Sequence, residues 1–450
     1  MHKTSFNISY ITFEVINNEV RIEIQEESNK PIGFQYPTYF ITQYSDSIII
    51  PHGEGMVIPA NQNLDLNLFM SGATGHGVCM SFYAAARYEN ENIGKEGYIV
   101  IIETPDDVSV QMTKENQCQY HIVYPYWHSQ KELFGYNRKL RMVFFPDGGH
   151  VKAAKIYRDY SIETGKLVTF EQKAAKYPAL KETYKMMQGA PNIWIWYDYQ
   201  RIYDEIKNVY KWTNILASET DGTTVDWAKR NGIVPSRYDI YQDAVDPALK
   251  SQFDWNRDWV DDAYANDELV LNKDGTRRQG WGVYPKNGGN MIYAGVVSDK
   301  YWPKYMKKKI NNEMTNGIKR LSRFIDTATA SDWYEDYHAN HPSNRSLSKH
   351  QRYVTLNTLH EDYGLIVGSE TGHDMAVGAC DYFEGMMSLP MFRTNDPGRN
   401  MENIVYNPEE RAVKYQVGER YRVPLWKLVY HDCVIAYWYW GDYNNKMPTL

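Results

Sequence analysis

Cysteine is scarce in this chain of 450 residues, and no two cysteines are near neighbours. The absence of a CxxC pair gives no indication of a zinc-binding knuckle or a dithiol redox motif. We therefore expect the cysteines to be small buried hydrophobic side chains. They are Cys79, Cys118, Cys380 and Cys433.

Long apolar runs and long basic runs are also absent. No apolar stretch of about 20 residues occurs, so no membrane span is expected. The net charge is −7, without the clustered basic face that nucleic-acid binding needs, so no nucleic-acid partner is expected. The segment 1–6 lacks the charged start and apolar core of a signal peptide. We expect a cytoplasmic protein if this N-terminus is native, and a secreted protein if the chain is a fragment.

Aromatic residues are abundant instead, with 38 tyrosines and 13 tryptophans. Buried cores account for part of such an excess. Aromatic planes also stack on the C–H faces of sugar rings, so the composition modestly favours a carbohydrate partner.

Alternating apolar and polar residues dominate the first third of the chain, and Gly, Asn, Asp and Pro separate the runs. This pattern predicts many short antiparallel strands, and we assign residues 1–148 to an antiparallel β-sandwich domain. Helical spacing follows, with Gly165 as a stop signal. Residues 149–190 are therefore predicted to form a helical connector. The predicted strands are 8–15, 20–24, 47–50, 97–102, 120–124 and 140–145.

Apolar runs and helical segments alternate after residue 190, which predicts a parallel sheet. About seven strands can be counted, so we predict a (β/α)8-type (TIM) barrel over residues 191–450, with its last strand missing or irregular. The expected fold class is thus multidomain, with a β-sandwich followed by an α/β barrel. The predicted strands are 193–196, 214–217, 236–241, 323–327, 365–369, 381–383 and 425–430.

Two carboxylates end successive predicted strands, Asp326 after an apolar run and Glu370 after the next. Catalytic groups of barrel enzymes lie at the C-terminal ends of strands, and a pair of carboxylic acids is what hydrolysis of a glycosidic bond requires. Small neighbours at 327–328 and 371–372 leave room for a ligand. The pair predicts a glycoside hydrolase, although a strand-end carboxylate often caps a helix or pairs with arginine instead.

Further candidates for sugar binding are polar or aromatic residues at strand ends. Tyr238, Asp239 and Asp243 lie on a polar strand, where the alternatives are an edge strand or, for Asp239, a structural ion pair with Arg237 or Arg323. His431 and Trp440 follow the last predicted strand, where a core role is equally compatible with the sequence.

Metal chemistry is weakly indicated. His338 and His341 are ligand types, but Pro342 interrupts their segment, and neither HExxH nor HxH occurs. No metal and no cofactor are expected. The remaining alternatives are a non-catalytic carbohydrate-binding protein, which the β-rich first third could support, and a metal-dependent hydrolase.

Several of these segments, in this order, resemble the endo-α-N-acetylgalactosaminidase group, glycoside hydrolase families 101 and 129 and their relatives. The resemblance covers roughly residues 150–445 and is carried by the order of short motifs. They are Gly189-Ala190-Pro191-Asn192-Ile193-Trp194, Ser236-Arg237-Tyr238-Asp239 with Asp243, Phe324-Ile325-Asp326, Gly368-Ser369-Glu370, Val423-Pro424-Leu425 and Val429-Tyr430-His431-Asp432.

This resemblance implies a retaining hydrolase of α-glycosidic bonds, with α-linked N-acetylgalactosamine as the first candidate substrate. The family nucleophile matches Asp326, and the family acid/base matches Glu370. The interval between them is longer than expected for the family, because of a polar and aromatic loop, 332–345, that we expect to lie over the site.

Overall fold

The computed structural model of the chain describes residues 10–26, 33–37, 40–41, 46–62, 64–69, 77–90, 93–114, 121–253, 259–386, 410–417 and 421–437. Cys118 and Trp440 lie outside these ranges. The other three cysteines are buried, as the sequence analysis expected.

Two antiparallel sheets form the N-terminal region. Seven strands pair in one sheet, and the remaining five form the other. Apolar residues of both sheets, including Ile24 and Val110, share one buried cluster. The predicted antiparallel β region is confirmed, whereas its sandwich arrangement and its boundary at 148 stay predictions. The strands are β1 Tyr10–Ile16, β2 Glu19–Gln25, β3 Phe34–Gln35, β4 Phe40–Ile41, β5 Asp46–Ile50, β6 Met56–Pro59, β7 Leu66–Phe69, β8 Phe82–Asn90, β9 Ile93–Ile102, β10 Val108–Lys114, β11 His121–Trp127 and β12 Arg138–Asp147.

Three helices follow, where a helical connector was predicted. They are α1 Gly149–Glu163, α2 Phe170–Lys176 and α3 Leu180–Met187. Thr169 begins α2 with a capping box, in which its hydroxyl accepts the Gln172 backbone N–H and the Gln172 side chain accepts the Thr169 N–H. Pro178 separates α2 from α3, since proline disfavours a helical conformation at the residue before it.

Strands and helices then alternate, and the three strands between residues 243 and 296 form a separate antiparallel sheet. The sequence runs through β13 Asn192–Ile193, α4 Tyr199–Asn208, β14 Ile215–Ala217, α5 Val225–Arg230, β15 Ile233–Pro235, β16 Tyr238–Asp239, β17 Asp243–Ala244, α6 Asp262–Ala265, β18 Gln279–Val283, β19 Ile292–Val296, α7 Trp302–Thr315, β20 Ser322–Ile325, α8 Arg345–Tyr363, β21 Ile366–Ser369, β22 Tyr382–Phe383, α9 Glu410–Ala412, α10 Leu425–Tyr430 and β23 Ile435–Ala436. Short 3₁₀ helices cover Pro105–Asp107, Gly222–Thr224, Pro247–Gln252, Asp299–Tyr301 and Asp374–Ala376, and a π-helix covers Val413–Val417.

The parallel strands form two sheets that meet at one segment. β13, β14 and β15 make the first, and β16, β20, β21, β22 and β23 make the second. Only residues 236 and 237 separate β15 from β16. The Ser236 backbone N–H donates to the Ala217 carbonyl of β14, and the Phe324 backbone N–H of β20 donates to the Arg237 carbonyl, so this segment bonds to both sheets. Among the described residues, no strand pairing joins β23 to β13, although the Tyr437 hydroxyl donates to the Ala190 carbonyl at 2.8 Å. The parallel α/β region is confirmed, and the closed TIM barrel stays a prediction.

One predicted strand is wrong. The apolar run 425–430 forms the helix α10 rather than a strand. Its buried residues, Leu425, Trp426, Val429 and Tyr430, recur at the helical interval of three to four positions. The strand of this part of the chain is β23, which lies a few residues later.

Candidate active site

The carboxylates Asp326 and Glu370 follow neighbouring parallel strands. β20 pairs with β21 in the register Ile325 to Ser369, so each acid comes directly after a matched strand residue. Asp326 is half-buried, and Glu370 is 8% exposed. The predicted placement of the two groups on adjacent strand ends is therefore what the structure shows.

A single backbone N–H connects the two carboxyls. The Thr327 amide donates to Asp326 Oδ1 at 3.0 Å and to Glu370 Oε2 at 2.7 Å. Thr327 adopts φ +65°, a left-handed conformation that is unfavourable for a β-branched residue. Such strain persists where the surroundings over-determine the backbone, often at functional sites. Here it aims one donor at both acids.

Burial sets the protonation of Glu370. Removal from water, together with the charge of Asp326 and a hydrogen bond that the protonated Glu370 donates to Asp326, raises the pKa of Glu370 well above its ordinary value. The Thr327 amide opposes this shift but does not outweigh it. Glu370 is thus held in its protonated form, which is the form a general acid needs.

Tyr238 lies on β16, beside β20, and its hydroxyl donates to Asp326 Oδ2 at 2.5 Å. Burial and the Asp326 charge raise the pKa of Tyr238, so the phenol keeps its proton. The hydrogen bond stabilises negative charge on Asp326. Tyr238, predicted as a sugar-binding residue, therefore contacts the carboxylate pair directly.

Two acidic residues near the pair were missed by the sequence analysis. Glu384 follows β22 and lies near Glu370, whose pKa its charge helps to raise. Glu219 comes two residues after β14 and accepts the Tyr238 backbone N–H at 2.8 Å, and burial raises the pKa of Glu219 to about 7. Both end short apolar strands, the same signal that identified Asp326 and Glu370.

Asp243 begins β17 and is 1% exposed. Burial, with a smaller contribution from the Asp326 charge, raises the pKa of Asp243 to about 7, although it accepts the Trp281 backbone N–H at 3.1 Å. Asp243 is thus close enough to Asp326 for the charge of Asp326 to affect its pKa. Its predicted role in sugar binding stays a prediction.

Asp239 is fully buried in an ion-pair network. It pairs with Arg323 and lies 3.4 Å from Arg237 and 3.7 Å from Lys309. Burial alone would raise the pKa of Asp239, but these three cations outweigh it and hold the pKa at about 2. The structure therefore gives Asp239 the structural role that the sequence analysis left open, and we do not place it among the sugar ligands.

His431 does not end a strand. It follows helix α10, is exposed, and bonds through Nδ1 to the Lys427 carbonyl one helical turn earlier. The predicted strand-end position was wrong because the helix replaces the strand. Trp440 lies outside the described residues.

The histidines considered as metal ligands lie in the loop 332–345. His338 and His341 stack with ring centroids 3.9 Å apart, and Asp336 accepts from His341 Nδ1 at 2.6 Å. Within the described ranges, no group of three or more His, Cys, Asp or Glu residues is arranged to hold a metal ion.

The loop 332–345 contacts the N-terminal region, and its Trp333 ring also lies 5.1 Å from that of His373, three residues after Glu370. Its predicted position over the site stays a prediction. Arg345 bonds to Asp107, and the backbone N–H of Lys131 donates to Glu335. The aromatic residues Trp333 and Tyr334 are each 3% exposed. Their burial is the reason the loop is held against the protein core.

A cavity of about 970 Å³ lies at the opposite edge of the parallel strands. Residues preceding β13 and β14 line it, together with Ile435 and Tyr437 of the last strand region. Because Asp326 and Glu370 follow their strands, this cavity is separate from the carboxylate site.

Residues 210–409 match the family model described as glycosyl hydrolases related to GH101 family, GH129. This match spans β20, β21 and both carboxylates. The chain is a glycoside hydrolase that resembles these families. It therefore acts on a carbohydrate. In the described part of the chain, no helix is long and apolar enough to cross a membrane. No match was found among curated proteins.

Solved structures show a similar fold. The α-N-acetylgalactosaminidase NagBb from Bifidobacterium bifidum, in its N-acetylgalactosamine complex, superposes with TM-score 0.71 at 18% identity, covering 93% of this hydrolase and 69% of NagBb. Its ligand-free form gives TM-score 0.70 with 93% and 71% coverage at 18% identity. A cycloalternan-degrading enzyme from Trueperella pyogenes gives TM-score 0.50 at 9% identity, covering 83% and 54% of the two chains.

Proposed function

We propose that this hydrolase cleaves an α-glycosidic bond with retention of anomeric configuration, through a covalent glycosyl-enzyme intermediate. The supporting observation is the Thr327 N–H, which reaches the carboxyls of both Asp326 and Glu370. A shared donor requires a short separation. Retaining enzymes hold their carboxyls about 5–5.5 Å apart, whereas inverting enzymes need about 6.5–9.5 Å for a water molecule.

In the first step, Asp326 attacks the anomeric carbon while Glu370 donates its proton to the leaving oxygen. The C–O bond to the aglycone breaks, an ester bond to Asp326 forms, and the aglycone departs as a neutral alcohol. Tyr238 stabilises the charge of Asp326 before the attack.

In the second step, the Glu370 carboxylate accepts a proton from water, and the resulting hydroxide attacks the anomeric carbon. The ester bond breaks and restores Asp326 as a carboxylate, and Glu370 regains its proton. Two inversions at one carbon give net retention.

The first candidate substrate is α-linked N-acetylgalactosamine, which the name of the structural neighbour NagBb supports. In this sugar the C1–O and C2–N bonds are cis, so the acetamide cannot attack C1 from the face opposite the leaving group. The protein must supply the nucleophile, and Asp326 meets that requirement.

The test is to follow hydrolysis of aryl α-N-acetylgalactosaminide and other aryl α-glycosides by proton NMR. The α-anomer of the free sugar is expected first, with the β-anomer appearing later by mutarotation. A β-anomer as first product would contradict retention. Absence of turnover on every aryl α-glycoside would contradict the proposed reaction itself.

A further inference from the structure

Two buried hydroxyls connect the strand ends that carry the carboxylates. The Ser369 hydroxyl donates to the Ile325 carbonyl at 2.7 Å, and the Thr329 hydroxyl donates to Ser369 Oγ at 3.0 Å. Both side chains are buried. Ser369 immediately precedes Glu370, and Ile325 immediately precedes Asp326. One hydrogen bond therefore joins the two stretches of backbone that hold the acids.

The backbone ladder between β20 and β21 ends at this place. Its last matched pair is Ile325 with Ser369. Among the described residues, no backbone hydrogen bond joins residues 326–331 to residues 370–373. The Thr327 N–H donates to the two carboxyls instead. Side-chain hydrogen bonds therefore hold the strand ends together where the ladder no longer does.

The hydroxyl of Thr329 also holds the turn that carries the shared donor. Thr329 lies two residues after Thr327, whose φ of +65° is unfavourable for a β-branched residue. The Ser331 N–H closes this turn by donating to the Thr327 carbonyl at 3.0 Å. Through its bond to Ser369, Thr329 attaches the turn to β21. The same contact thus supports the direction of the Thr327 N–H toward both acids.

Hydrogen-bond accounting shows what the loss of these hydroxyls does. The donors run in one direction, from Thr329 to Ser369 and from Ser369 to the Ile325 carbonyl. A buried carbonyl that loses its donor is costly, and a water molecule that replaces the hydroxyl needs space of its own. Removal of the Ser369 hydroxyl is therefore expected to move the ends of β20 and β21 apart.

We infer that Ser369 and Thr329 are positioning residues that set the distance between the carboxyls of Asp326 and Glu370. The inference rests on the proposed function, in which both acids act on one anomeric carbon. Neither hydroxyl exchanges a proton or forms a bond in that reaction. A displacement of about 1 Å in a reacting group lowers a rate by up to about 100-fold, so a contact that fixes this distance affects the chemical step.

The experiment compares Ser369→Ala, Thr329→Val and Thr329→Ser with the wild type. Thr329→Val deletes the hydroxyl and keeps the shape of the side chain, whereas Thr329→Ser keeps the hydroxyl. Ser322→Ala is the matched control, because Ser322 is a buried serine at the opposite end of β20, where its hydroxyl accepts from Ser236 at 3.1 Å. Melting temperatures measure how much stability each variant loses.

Steady-state kinetics with an aryl α-N-acetylgalactosaminide give the first readout. We expect kcat of Ser369→Ala to fall roughly 10- to 100-fold, with little change in KM. Thr329→Val should lose less, and Thr329→Ser should keep most of the wild-type kcat. The double variant should be about as slow as Ser369→Ala, because the two hydroxyls act through one contact. Ser322→Ala should keep the wild-type kcat even where its melting temperature falls.

Carbon-13 NMR of the Glu370 carboxyl gives a second readout, which does not depend on turnover. The signal is assigned by its loss in Glu370→Gln. Burial, the charge of Asp326 and the hydrogen bond to Asp326 raise the pKa of Glu370, with a smaller contribution from Glu384. A larger separation and entry of water weaken these effects. Glu370 should therefore titrate at lower pH in Ser369→Ala than in the wild type, and Ser322→Ala should match the wild type.

A wild-type kcat in Ser369→Ala, or an equal loss in Ser322→Ala, would overturn the inference. An unchanged titration of Glu370 in Ser369→Ala would overturn it as well. If Ser369→Ala does not fold, Thr329→Val serves for both measurements. Absence of turnover by the wild type on every aryl α-glycoside would instead count against the proposed function, and the NMR titration then decides the positioning role alone.

Discussion

At the residue scale, the two carboxylic acids Asp326 and Glu370 have different surroundings. Glu370 is buried beside other acids, which favours its neutral form, whereas half-buried Asp326 receives hydrogen bonds from Tyr238 and Thr327. Donors directed at a carboxylate favour its charged form. Under the proposed mechanism, this difference in environment suits Glu370 to the role of acid and Asp326 to that of nucleophile.

Removing the hydroxyl that supports Asp326 tests this assignment. Tyr238→Phe keeps the ring and deletes the donor, and a hydrogen bond to a charged group contributes about 1.5–3 kcal/mol. We expect kcat/KM to fall roughly 10- to 150-fold, with little change in melting temperature. Tyr197→Phe, at an exposed tyrosine, is the control. Normal kinetics in Tyr238→Phe would remove Tyr238 from the mechanism.

The pH dependence of kcat/KM tests the protonation of Glu370. The charge of Glu384 raises the pKa of Glu370, so Glu384→Gln should lower that pKa. The alkaline limb of the profile reports loss of the Glu370 proton and is expected to shift to lower pH. Glu361→Gln, a surface variant on α8, should leave the limb in place. A shift to higher pH in Glu384→Gln would contradict this electrostatic coupling.

At the element scale, helix α7 is tied to the parallel strands by buried charges. Glu313 of α7 bonds to Arg237 at 2.6 Å and to Arg320 at 3.2 Å, and also pairs with Arg323. Arg323 in turn pairs with Asp239. Removing one partner from such a network leaves an uncompensated buried charge, which lowers the free energy of unfolding.

Asp239→Asn tests the structural role of this network. The folded-state pKa of Asp239, about 2, lies below the ordinary value of 3.8, so its ionisation stabilises the fold above about pH 4. We expect a loss of about 3–5 kcal/mol in unfolding free energy at pH 7. The difference from wild type should shrink as the pH falls from about 4 to about 2.

Urea unfolding measures this loss, and Asp226→Asn, in an exposed pair with Lys229, is the matched control. Kinetic constants of the folded Asp239→Asn protein should stay close to those of the wild type. A stable variant with a much higher KM would return Asp239 to the sugar site.

The elements also show which features the sequence could predict. A carboxylate after a short apolar run identified Asp326 and Glu370, because a parallel strand places its following residue at one common edge. The run 425–430 was misassigned because a short apolar segment fits a strand or a buried helix. Its large apolar side chains recur every three to four positions, and Pro424 lies just before it; both features are typical of a helix. The partners of Asp239 required the fold, since Arg323 is 84 positions away along the chain.

At the scale of the whole molecule, the N-terminal region contacts the segment that follows β21. The Asp374 backbone N–H donates to the Cys79 carbonyl at 2.8 Å, and the Tyr157 hydroxyl donates to the Asp374 side chain at 2.5 Å. One buried cluster includes Phe82, Tyr157 and Val367, from the N-terminal sheet, α1 and β21. All three predicted segments contribute to this cluster, and the predicted domain boundaries stay predictions.

The most direct test of the two carboxylate roles is azide rescue of Glu370→Ala. A substrate with a good leaving group needs no acid in the first step, so this variant should form the Asp326 ester and then stall, since it has no base to activate water. Azide needs no base and should restore turnover, giving an α-azido sugar of retained configuration. Asp326→Ala should show no turnover with or without azide. A β-azido product from Glu370→Ala would contradict the assignment of Asp326 as the nucleophile.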